Sequence, residues 1–175
     1  MASTESSLGR FTSIRVLVPG TGTRFRCGGL SVALQTARLL SRLLSTQLVT
    51  YRQRQSDHPF LDDLLQQDKS PEDVLWLVSW GFDVPLLLRR LKGRPVIYQA
   101  HSSGYGFDLP PGVPVLAVSR NTLGYWGDRA PRNPLFLMPN ALESAWFERG
   151  ARYLAATSRP LDVLVQRRKS SDYVM

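Results

Sequence analysis

Ile14-Arg15-Val16-Leu17-Val18 runs straight into PGTGTRFRCGGLSVALQTARLL, Pro19 to Leu40. An apolar run, a turn with four glycines and a helical pattern follow one another, an order that presents free backbone N–H groups to an anion. Two phosphate-binding templates fail on it. A dinucleotide fingerprint starting at Gly20 and Gly22 needs a third glycine where the chain has Phe25. A Walker A loop needs Gly-Lys-Ser/Thr, and the only lysines are Lys69, Lys92 and Lys169. What survives is a strand, a permissive turn and a helix, with or without a ligand.

The pattern recurs along the chain. Short apolar runs stand at Ile14–Val18, Gln47–Tyr51, Val74–Ser79, Pro95–Ala100, Pro114–Val118, Leu135–Met138 and Leu161–Val165. Runs without strict alternation belong to strands covered on both faces, the habit of parallel sheets. From Gly29 onward, Leu30, Ala33, Leu34, Ala37, Leu40 and Leu44 form one helical apolar face against Ser31, Gln35, Arg38 and Arg42. A second helix is predicted over Phe82–Lys92, with Pro85 in its first turn and Gly93 past its end. A third is predicted from Arg120 to Trp126 behind Ser119 as N-cap, and a short one over Pro59–Gln67. The expected fold is α/β, a doubly wound, mostly parallel, Rossmann-like sheet. The expected organisation is a flexible tail over 1–13, the α/β domain over 14–150, a connector over 151–160 and the start of a second, absent domain over 161–175. The last inference follows from Leu161–Val165, a strand pattern with no partner after it.

Composition narrows the classes. A chain of 175 residues, 43% hydrophobic, can bury one sizeable core. Its formal charge of +8 comes from 19 arginines against 3 lysines, which suits anionic partners or a solvated Arg-rich surface. The single cysteine, Cys27, excludes an internal disulfide and a zinc cluster, and is expected as a small buried residue in a reducing compartment. The leader MASTESSLGRFTS lacks the apolar stretch of a signal peptide, and the most apolar segments are broken by Trp80-Gly81 and Pro85. A cytoplasmic protein, with peripheral contact to an anionic membrane left open, is the expectation.

In open parallel sheets the ligand crevice lies beyond the carboxyl ends of the strands. The residues that follow the apolar runs are the glycine turn with Gly28 and Gly29, Trp80, His101-Ser102-Ser103, Ser119 and Pro139-Asn140. Arg24 and Arg26 beside the double glycine favour a phosphate or an acidic sugar derivative. His101 suits a sugar hydroxyl or developing charge, or equally a local packing role. Ser119 reads first as a helix cap, and Asn140 as either a ligand contact or a turn residue.

These residues carry a resemblance. RVLVPG followed by CGGLSVALQTARLL, then RPVIYQAHSSG, VLAVSRNTLGYW and LFLMPNAL, are similar in order and approximate spacing to the amino-terminal half of retaining GT-B-fold glycosyltransferases. The match covers most of Ile14 to Ala145. It implies transfer of a sugar from a nucleotide-sugar donor to a hydroxyl acceptor, with no cofactor and no metal. It also implies that Gly28 and Gly29 line the cleft, that His101 is the histidine facing the transferred sugar and that Asn140 is the asparagine before the crossover between the halves; His101 is the catalytic candidate, and Gly28, Gly29, Ser119 and Asn140 are the substrate-binding candidates. Two departures stand out. The family follows the asparagine with glycine, whereas Asn140 precedes Ala141. The paired glutamates of the family's second domain are missing, since Glu143 and Glu148 are five apart, and Arg168 and Lys169 match its basic pair poorly in spacing. The expectation is a truncated chain that is inactive alone.

A non-catalytic α/β module that binds a ligand or a partner chain is the alternative. Nucleic-acid binding is not expected, because the arginines are spread along the chain rather than interleaved with aromatics on one element. No Asp-x-Asp pair supports a metal-dependent transferase. Oligomeric state has no signature in the sequence.

Overall fold

β1 (Ser13–Val18) organises the molecule. Ile14, Val16 and Val18 join one apolar cluster while Leu17 joins another, so the strand is buried on both faces as its unbroken apolar run requires. The computed structural model describes residues 10–67, 72–79, 81–140 and 144–155.

Five further strands complete a sheet of order β2-β1-β3-β4-β5-β6. They are β2 (Ser45–Thr50), β3 (Val74–Val78), β4 (Val96–Ala100), β5 (Val115–Ala117) and β6 (Leu135–Leu137). Every neighbouring pair is parallel, in a register that sets Val16 against Leu48 and Leu77, Leu77 against Ile97, and Gln99 against Leu116. The sheet is therefore wholly parallel.

The helices divide between its faces. α1 (Gly28–Leu40) buries Leu30, Ala33 and Ala37 against Ile14, Val16 and Val18. α2 (Leu61–Gln67), α3 (Val84–Arg90) and α4 (Arg120–Arg129) cover the other face, contributing Leu61, Val84, Leu87, Leu88 and Trp126 to the cluster around Trp76 and Tyr98. Right-handed crossovers produce this division: the step from β1 to β2 runs one way along the sheet, and the later steps run the other.

Local details depart from the sequence reading in three places. In α1 it is Thr36 that is buried while Leu34 is 40% exposed, because the buried stripe centres on Ala33 and Ala37. The expected helix over Phe82–Lys92 splits into a 3₁₀ turn, Gly81–Asp83, and α3, with Pro85 in the first turn of α3. Left-handed Gly93, at φ 82°, follows it. Cys27, expected inside, is exposed, since it is the N-cap of α1 and its extended backbone turns it away from the helix packing face.

A second compact unit begins at Leu142, the first ending at Ala141. Within it α5 (Ser144–Ala155) is amphipathic, with Phe147 exposed. The expected connector over 151–160 is thus helical through Ala155, a stretch of good helix formers with no glycine or proline to stop it. The expected tail through residue 9, the strand at Leu161–Val165, Arg168, Lys169, Trp80 and Glu143 lie outside the described residues.

Candidate functional site at the carboxyl edge

Because all six strands run the same way, every segment that follows a strand emerges on one edge. The strand order reverses between β1 and β3, which makes the β1 turn and the segment after β3 the walls of the switch-point crevice.

The β1 turn is held by specific contacts. The amide and hydroxyl of Thr21 both donate to Gln55 Oε1 at 2.9 Å, and the amides of Arg52 and Gln53 donate to the Pro19 carbonyl at 3.1 Å. A Cβ on Gly20 would sit 2.4 Å from the Phe25 ring, so that glycine exists to let Phe25 close over the turn. Arg24 stacks on the same ring at 4.6 Å. Gly28 is different. A Cβ there meets nothing within 4 Å, so packing gives no reason for the glycine. Gly28 and Gly29 form the first turn of α1, whose N-cap Cys27 makes no side-chain capping bond.

Adjacent loops are stitched together along the edge. Tyr51 and Arg52, after β2, bind the Asp83 carboxylate after β3, and burial together with Asp83 raises the Tyr51 phenol well above its ordinary range. Gly81 in turn faces the Tyr105 ring, where a Cβ would lie 2.4 Å away, and Phe82 meets that ring edge-on at 5.2 Å. Gly104 and Gly106 take φ of 87° and 72°, which turns the chain after His101 back over the edge.

His101 lies one residue beyond β4 and is half-buried. Its Nε2 is shielded from solvent and finds no partner among protein atoms. Burial lowers its pKa below the ordinary histidine value, which favours a neutral imidazole able to donate and accept.

Ser119 does what its cap position predicts: its Oγ accepts from the Thr122 amide at 3.1 Å and lies 3.0 Å from Thr122 Oγ1. Asn140 is exposed just past β6. The topology thus brings Gly28, Gly29, His101, Ser119 and Asn140 to one edge, but not to one point. At ~4.8 Å per strand, β4 stands ~10 Å from β1, and β6 another ~10 Å beyond. An elongated ligand can touch all of them; a small one reaches His101 and one neighbour.

Three side chains at or near this edge escape sequence reading. Asp83 and Tyr105 carry no motif and reveal themselves only through partners on other loops. Gln99 in β4 is 1% exposed, and its only sequence signal is a polar residue inside an apolar run. A cleft of about 540 Å³, lined by Phe11, Ile97, Lys92 and Pro110–Pro114 among others, lies at the opposite, amino edge. Among the described residues no cluster of His, Cys, Asp or Glu could hold a metal ion, and no helix is long and apolar enough to cross a membrane. No protein-family model, curated protein or solved structure matches the chain.

Proposed function

We propose that this chain is the acceptor-side half of a retaining GT-B glycosyltransferase, which moves a sugar from a nucleotide-sugar to a hydroxyl acceptor. What carries the reading is the combination of four resembling motifs with a wholly parallel sheet, whose carboxyl edge holds the double glycine, His101 and Asn140. A neutral imidazole suits hydrogen bonding to a sugar hydroxyl, and Gly28 leaves room for a ligand against the first turn of α1. In this reading the diphosphate is held chiefly by a second α/β body, whose charges stabilise the leaving group without a metal. Peripheral docking on an anionic membrane, through the excess of arginine, fits a lipid-linked acceptor.

The test is chemical-shift mapping of the chain with UDP-, GDP- and ADP-linked sugars and with free neutral sugars. Perturbations centred on the carboxyl edge, at Gly28, Gly29, His101, Ser119 and Asn140, support the reading. Perturbations centred on the amino-edge cleft, or none with any sugar, overturn it in favour of the non-catalytic module.

A further inference from the structure

We propose that Gln99 is a second sugar-binding residue, its side-chain amide taking a hydroxyl of the ligand beside His101. The inference rests on the reading above only in expecting a sugar. Gln99 is the one described side chain with two buried polar atoms, Oε1 and Nε2, that find no partner among protein atoms. Each such group costs ~1–3 kcal/mol if left unpaired. Trp76, Trp126 and Tyr98 also bury an unpartnered polar atom, but each is an aromatic whose large apolar body accounts for its burial. A glutamine has no such compensation.

Its position gives the cost a use. Gln99 is the penultimate residue of β4, on the sheet face of Ile97 and Leu116, and His101 follows two residues later with its own unpartnered buried Nε2. Alternation along β4, carried one residue past Ala100, sets residue 101 on the side of residue 99. Two donor-and-acceptor groups therefore stand in sequence below the carboxyl edge. A phosphate is anionic and dominated by acceptors, and would set negative charge against the buried Oε1. A hydroxyl both donates and accepts, so it can satisfy the amide and the neutral imidazole together. Gln99 is 1% exposed, so what its amide binds must be a small group, such as a single hydroxyl. The chemical class is a neutral polyol, and the residue discriminates against anions.

The experiment compares the intact chain with Gln99→Met, using methyl glucoside and inorganic phosphate as probes. Removing an unpaired amide while keeping the volume should raise the melting temperature and weaken methyl glucoside binding roughly tenfold. In the parent chain, the Gln99 side-chain amide and His101 ring resonances should shift with methyl glucoside and not with phosphate. A lowered melting temperature in Gln99→Met would show that the amide serves a structural network, and would overturn the proposal. So would a Gln99 amide that responds to phosphate, or to neither probe. The parent-chain spectra decide the matter even if the variant does not fold. Nucleotide-sugar perturbations at Gly28 and Gly29 that persist while Gln99 stays silent would overturn this inference alone and leave the transferase reading standing.

Discussion

The Tyr51 hydroxyl donates to Asp83 Oδ2 at 2.6 Å, while the neighbouring Arg52 donates to Oδ1 of the same carboxylate at 2.5 Å. One acidic side chain thereby ties the segment after β2 to the segment after β3, across the switch point. Asp83→Ala would leave the Tyr51 hydroxyl, in a residue only 7% exposed, without its acceptor. The expected loss is ~1–3 kcal/mol by urea denaturation, most of it recovered in the double variant with Tyr51→Phe.

The tyrosines also set an alkaline limit. Burial, aided by Asp83, raises Tyr51, and burial, aided by Tyr105 and Tyr125, raises Tyr98. Both stay protonated in the folded chain after an unfolded tyrosine, at pKa ~10, has lost its proton. Their contribution to stability is complete below pH ~10 and is lost as pH climbs from there toward the folded values. Urea midpoints at pH 8 and 10.5 should differ, and Tyr98→Phe should narrow the difference.

His101 gives the opposite slope at acid pH. Its folded pKa is depressed, so its contribution is present above ~6.5 and declines as pH falls toward the folded value, because the unfolded chain binds the proton first. The ring resonances of His101 should titrate with a midpoint below 6.5; a midpoint at or above it would refute the downward shift by burial.

Substitutions at two glycines separate packing from ligand clearance. Gly81→Ala drives a methyl group into the Tyr105 ring and should cost ~1–3 kcal/mol. Gly28→Ala meets no atom in a helical position and should stabilise the fold slightly. If the first turn of α1 receives a ligand, the same Gly28→Ala variant should bind nucleotide-sugar more weakly despite its higher melting temperature.

The two ends of capping differ in the same way. Ser119→Ala should cost ~1 kcal/mol and Ser119→Asp much less, because only the acceptor for the Thr122 amide matters. Cys27, exposed at the N-cap of α1 with no capping bond, should react with a thiol reagent in the folded chain. Cys27→Ser should gain ~0.5–1 kcal/mol.

The sheet was legible because each strand is a short apolar run with a turn behind it, and burial on both faces leaves that signature wherever it occurs. Ser119 was legible for a local reason: a cap is defined by its own next three residues. Cys27 was misread because composition alone says that cysteine is buried, whereas a turn geometry decided otherwise. The links through Asp83, Tyr105 and Gln99 were illegible, since they join segments separated by more than twenty residues or depend on what a sheet face encloses. Gly28 and Gly20 looked alike as letters and differ only in what a methyl group would strike.

The order of the strands has a consequence for how the chain acquires its shape. β1 emerges first during synthesis yet sits between β2 and β3, and the pairing that secures its second side, seen in the bond from the Thr12 amide to the Asp73 carbonyl, spans 61 residues. Until that distant segment has been made, a strand whose apolar side chains are buried on both faces keeps an open flank. Folding is therefore tied to late, long-range closure, and the nascent polypeptide passes through a stage in which a companion that shields strand edges has something to hold.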